Sequence, residues 1–146
     1  MNINELDKKH NAQAVNGNVA ARVEIGTELS YIYTSVMVRG SITDDNLRYI
    51  FSTSEGGDFV RFLIPTDWKK GPHTLTAESQ VIMFEPGRLH PLPSGRWTAV
   101  RGEVFITDDS NSNFSGTFHC YQYSNEEIPA LMGGNFNVDF TSISQK

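Results

Sequence analysis

The chain has 146 residues, 38% of them hydrophobic, and 17 acidic against 12 basic side chains leave a formal net charge of −5. That length fits one domain able to bury a core without metals or disulfides, and the single cysteine excludes an internal disulfide. The bases are scattered, adjacent only at Lys8–Lys9 and Lys69–Lys70, which excludes the concentrated positive footprint that nucleic-acid binding needs.

Residues 1–18 are rich in Asn, Ala and Gln without clear periodicity and read as an N-terminal arm, with Asn4 placed to cap a short helix carrying Leu6. They contain no apolar core of the signal-peptide kind. The expected localisation is therefore cytoplasmic, with export by another route, or prior removal of a signal, as the alternatives. No run approaches the roughly 18 apolar residues of a membrane span, so none is expected.

From Val19 the pattern has period two. VAARVEI sets Val19, Ala21, Val23 and Ile25 on one face, with Arg22 and Glu24 opposite. SYIYTSVMV follows, then LRYIFS after the turn residues Thr43–Asn46, and DFVRFLIP after Gly56–Gly57. HTLTA, QVIMF, WTAVRGEVFIT, FSGTFHCYQY and NFNVDFTSI complete the series. Runs of this kind between Gly, Pro, Asn, Asp and Ser predict about eight to ten strands. The expected fold is a single all-β domain over residues 19–146, an antiparallel β-sandwich or flattened β-barrel.

Two connections invite a functional reading. The loop 84–97 contains three prolines and two glycines and carries Arg88, His90, Arg96 and Trp97. That set suits an anionic or sugar-like ligand, or else the loop is a long hairpin connection. The segment Asp109–Asn113 begins like a calcium loop, but Phe114 stands where a glycine is needed and Cys120 where the closing glutamate belongs. It reads as a hairpin turn.

In FSGTFHCYQY, Phe114, Gly116, Phe118 and Cys120 share one face, and Ser115, Thr117, His119, Tyr121 and Tyr123 the other. His119 and Cys120 therefore point apart and form no thiolate–imidazole pair. Cys120 is expected buried and unreactive. Beyond it, Ser124 and Glu127 have capping-box spacing for one helical turn that Gly133–Gly134 can end. Ile128, Leu131 and Met132 then form an apolar lid, either a plug for the core or a partner-docking or ligand-gating loop.

Gly116-Thr117-Phe118 followed by Gly134-Asn135-Phe136-Asn137-Val138-Asp139-Phe140 resembles the final strand pair of small, uncharacterised bacterial β-sandwich domains. Ile64–Trp68 and Gly71–Leu75 fall where such domains have a turn and a strand. The resemblance implies the fold and carries no activity or functional residues.

No metal or cofactor is expected, since His10, His73, His90 and His119 show no ligand spacing and there is no second cysteine. No nucleophile elbow or phosphate-cradling motif occurs, so no catalytic residue is assigned. What stands out is the strand face opposite the expected core. It carries Tyr31, Tyr33 and Met37, then Tyr49 and Phe51, then Trp97, Arg101, Glu103 and Phe105, then His119, Tyr121 and Tyr123. Amphipathic aromatics there suit a ligand cavity, a sugar-stacking surface or a subunit interface, unless bulges shift the parity and send some of them into the core. The expected function is a non-catalytic binding or assembly module whose partner is a small ligand, a carbohydrate or a protein, a second copy of the chain included. The alternatives are a calycin-like barrel carrying a small apolar or aromatic ligand, and an enzyme using His90 or His119 with a nearby acid.

Overall fold

The computed structural model describes residues 12–26, 30–87 and 95–142. Over these the chain is all β. Its strands are β1 (Gln13–Ala14), β2 (Asn16–Glu24), β3 (Ser30–Ile42), β4 (Leu47–Ser54), β5 (Phe59–Pro65) and β6 (Gly71–Leu75). They continue with β7 (Ile82–Glu85), β8 (Trp97–Thr98), β9 (Arg101–Asp108), β10 (Phe114–Tyr121) and β11 (Ala130–Asp139), and a 3-10 turn at Phe140–Ser142 follows. Every pairing is antiparallel, in the order β6-β9-β10-β11-β2-β3-β4-β5-β7-β8, with β1 added to β3. The segment read as an arm has thus entered the sheet by Gln13. No helix among the described residues is long and apolar enough to cross a membrane.

Turn chemistry fixes the short connections. Between β3 and β4 the Thr43 N–H donates to the Leu47 carbonyl at 2.8 Å, and Asn46 takes φ +62, a conformation its short amide tolerates. Between β9 and β10 the Asp108 carboxylate accepts the Ser110 N–H at 2.9 Å and the Asn113 side chain at 3.2 Å. The oxygen-rich segment Asp109–Asn113 is occupied in closing this hairpin.

The sheet curls into a half-barrel because two runs of chain each serve both of its halves. Ser30–Thr34 of β3 pairs with β2, whereas Ser35–Ile42 pairs with β4. Trp97 and Thr98 pair with β7, and the same run continues as β9 between β10 and β6. The curl brings β5 over the β10–β11 pair. Phe62 lies with its ring centroid 5.1 Å from Phe118 and 5.3 Å from Phe136, in a core that also holds Phe84, Phe114 and Trp97.

Each bend changes which side chains face inward. Tyr31 and Tyr33 pair across from Val23 and Ala21 and so share the core side; a bulge between Ser35 and Met37 then turns Met37 outward. Trp97 and Ala99 face inward, yet so do Val104 and Ile106, so the phase slips between them. Arg101 is already in phase with Glu103, so the slip falls just before Gly102, which takes φ +135 and where an added Cβ would sit 2.2 Å from the His119 carbonyl oxygen. Only glycine lets β9 pass that close to β10. The single aromatic face expected from strict alternation does not exist: Tyr33, Tyr49, Phe51 and Trp97 are buried.

Tyr49 and Phe51 belong to a second, smaller cluster on the outside of β4, β5 and β7, with Phe59, Met83 and Ala12. Inside the main core, Ser52 donates to the Val60 carbonyl at 3.1 Å, which leaves Tyr33 to donate its hydroxyl to Ser52 at 2.7 Å. The expected helical lid is absent. β11 starts at Ala130 and puts Leu131 fully in the core, and Gly133 makes a bulge inside the strand rather than ending a helix.

Candidate functional site

Clean alternation builds the outer face of β10, of β9 from Arg101 and of β11 from Asn135. Burial of Phe114, Gly116, Phe118 and Cys120 on the inner side of β10 sends Thr117, His119 and Tyr121 outward. On β9, Val104 and Ile106 are buried, and Arg101, Glu103 and Phe105 take the other side. The register then sets Phe105 beside Thr117, Glu103 beside His119 and Arg101 beside Tyr121. The His119 and Tyr121 rings meet edge to face, 6.1 Å between centroids at 76°. Phe105 remains 42% exposed, an unusual position for a phenylalanine with a buried neighbour on either side in sequence.

The third strand supplies the relief. The register of β11 against β2 shifts between Met132 and Asn135, and Gly133 takes φ +56 with no atom within 4 Å of where a side chain would begin. A side chain is missing where the sheet would otherwise be filled. The result is a groove of about 460 Å³ between the β9–β10 aromatics and Met132 and Asn135 on β11.

The polar chemistry of the groove is uncommitted. Glu103, Thr117, His119, Tyr121 and Asn135 make no side-chain hydrogen bond or ion pair with the described residues. The nearby Arg101 is engaged, its Nη2 lying 3.1 Å from the Glu126 carboxylate. The described lining residues include one carboxylic acid, Glu103, and no arginine or lysine.

The other candidate residues are dispersed. Tyr31 is half-buried and borders a different groove, of about 330 Å³, with Ile32, Val36 and Asp58; burial first, and the Asp58 carboxylate second, push its phenol pKa up. Tyr33 and Trp97 are core residues, Trp97 packing its ring 5.8 Å from Phe84. Arg96 pairs with Glu85 at 2.9 Å and lies over the Phe59 ring. Tyr123 is exposed just beyond β10. Arg88 and His90 lie outside the described residues. Among the described residues of the expected set, the structure therefore gathers only His119 and Tyr121 in one groove, with Arg101 at its side.

Glu103, Phe105 and Thr117 belonged to the outer faces read from sequence, but Met132, Gly133 and Asn135 did not. Asn135 could have been found, since it precedes the buried Phe136 in an alternating run. The groove itself could not, because it depends on a bulge that strict alternation does not register.

Cys120 holds no chemistry here. It is fully buried, on the opposite side of β10 from His119, and burial pushes its thiol pKa well above the ordinary range. Comparison with protein-family models, with curated proteins and with solved structures finds no match to this chain.

Proposed function

We propose that this chain is a non-catalytic binding or assembly module on a flattened β-barrel, and that it recognises its partner through the outer face of β9, β10 and β11. The observation that carries this reading is the groove in which Phe105, His119 and Tyr121 lie together at the surface. A sheet face that only meets water is ordinarily polar throughout. A concave one with half-exposed rings and a few polar groups has the character of a recognition site. The barrel description is supported by the two runs, β3 and Trp97–Asp108, that pair with both halves of the sheet. A ligand carried inside is less well supported, because Phe62, Phe114, Phe118 and Phe136 pack their rings 5.1–5.4 Å apart in that space.

The test pairs a thermal-shift ligand screen with sedimentation of the full chain. Binding to a ligand or self-association should be found, and Tyr121→Ala should weaken it. Retention of full binding by a Phe105→Ala, Tyr121→Ala double variant would sink the reading. A second reading, acid–base catalysis, has one supporting observation: His119 and Glu103 are register partners on adjacent strands. Turnover that disappears in His119→Ala would favour it.

A further inference from the structure

Resting on that reading of the groove, we infer that its ligand is a neutral saccharide. Tyr121 and His119 present partly buried rings and Phe105 an exposed one, so the groove has apolar faces for the C–H side of a pyranose to stack on. Around them stand Glu103, Thr117 and Asn135, together with the ring nitrogens of His119 and the hydroxyl of Tyr121, none hydrogen-bonded to described protein groups. Between them they offer both donors and acceptors, which is what a ring of vicinal hydroxyls takes up. A purely apolar ligand would strand these groups without partners, at a cost for each one buried.

Charge narrows the class further. Among the described lining residues no arginine or lysine faces the groove, and Arg101 beside it is held by Glu126. An anionic ligand such as a phosphate or uronate would meet the Glu103 carboxylate, and the nearest arginine, Arg101, already has a carboxylate partner. An organic cation would be attracted by Glu103 and the rings, but it would leave Thr117, Asn135 and the Tyr121 hydroxyl unused. A polyhydroxylated neutral molecule engages the whole lining. At about 460 Å³ the groove falls within the size of small-molecule sites, roughly 300–1,000 Å³, and its open shape admits an end or a side of a longer chain.

The experiment is an amide NMR titration of the full chain with glucose, galactose, mannose, N-acetylglucosamine, maltose and cellobiose, with tetramethylammonium chloride and sodium phosphate alongside. At least one sugar should give saturable shifts at Thr117, Tyr121, Gly133 and Asn135. Tyr121→Ala and Asn135→Ala should each weaken it about fivefold or more. Thr117→Ala, a small change at an exposed position, gives the same readout should either variant fold poorly. Shifts with tetramethylammonium or phosphate and none with any sugar overturn the saccharide and leave the binding face standing. Self-association lost in Phe105→Ser, with no sugar response, likewise overturns the saccharide and leaves an assembly face. A monomer that responds to no probe overturns both.

Discussion

The two sides of the half-barrel use the same kind of strand in opposite ways. In β4 and β5 no residue is exposed and both faces are buried: Ile50, Phe62 and Ile64 inward, Tyr49, Phe51 and Phe59 outward into a second cluster with Met83. In β10 and β11 only one face is buried, and the other keeps Thr117, His119 and Tyr121 at the surface. The difference separates two meanings of an aromatic on the outer side of a sheet. Where both faces are covered, such a ring is core. Where one face is open, it is available to a partner.

The largest effects should come from the inner face that the two halves share. Phe136 touches Phe62, Phe114 and Phe118 and is 2% exposed, so Phe136→Ala should cost about 3–5 kcal/mol in urea unfolding. Phe62→Ala, from the opposite half, should fall in the same range. A loss under about 1 kcal/mol for either would place that ring at a surface and break the assignment of a common core.

The outer faces should then part company. Met83, 5% exposed in the cluster with Phe51 and Phe59, lies on the covered side, and Met83→Ala should cost about 2–5 kcal/mol although its side chain points away from the main core. A neutral result would mean that the second cluster is not a packed core, and the comparison between the halves would collapse.

This contrast was partly legible in the sequence. LRYIFS and DFVRFLIP are nearly continuous apolar runs, the signature of strands buried on both faces, whereas FSGTFHCY and GNFNVDF alternate. The alternating pair kept its register: Phe114, Phe118, Phe136 and Val138 are all buried, with Cys120 among them. Strands that bend did not keep theirs. The bulge at Ser35–Met37 and the slip between Ala99 and Arg101 each reverse the phase between the stretches before and after them, which is why Tyr33 and Trp97, before them, are core together with Val38 and Val104, after them. The helical turn over Ser124–Met132 failed for a related reason. Capping-box spacing is a local signal, and pairing of Ala130 and Leu131 with both β10 and β2 outweighed it.

The shared core also predicts a pH dependence. Burial raises the Cys120 thiol pKa in the folded chain above its ordinary value of about 8.5. Below that value both states hold the proton and the thiol contributes no slope. Above it the unfolded chain loses the proton and the folded chain keeps it, so the unfolded state binds fewer protons and stability falls. The slope approaches about 1.4 kcal/mol per pH unit, and the effect is complete only once the folded thiol ionises. Urea midpoints should drop between about pH 8.5 and 10, and drop less steeply in Cys120→Ala. Equal slopes in the two proteins would contradict a buried thiol, as would rapid labelling of the native protein by a thiol reagent.

The smallest effect is the most informative about the open face. Phe105 lies between buried Val104 and Ile106 on β9, but its own ring is 42% exposed and appears in neither core cluster. If its place there serves recognition, removing the ring should cost the fold almost nothing. Phe105→Ser should change unfolding free energy by no more than about 0.5 kcal/mol, the range for surface positions away from packing features. It keeps a side chain with moderate tolerance for a strand and should raise solubility, since an exposed apolar ring is an association site. The same substitution should reduce whatever binding or self-association the groove supports. Destabilisation by about 2 kcal/mol or more would instead assign Phe105 a packing role, and the outer face of β9–β10–β11 would then resemble the covered face of β4 and β5.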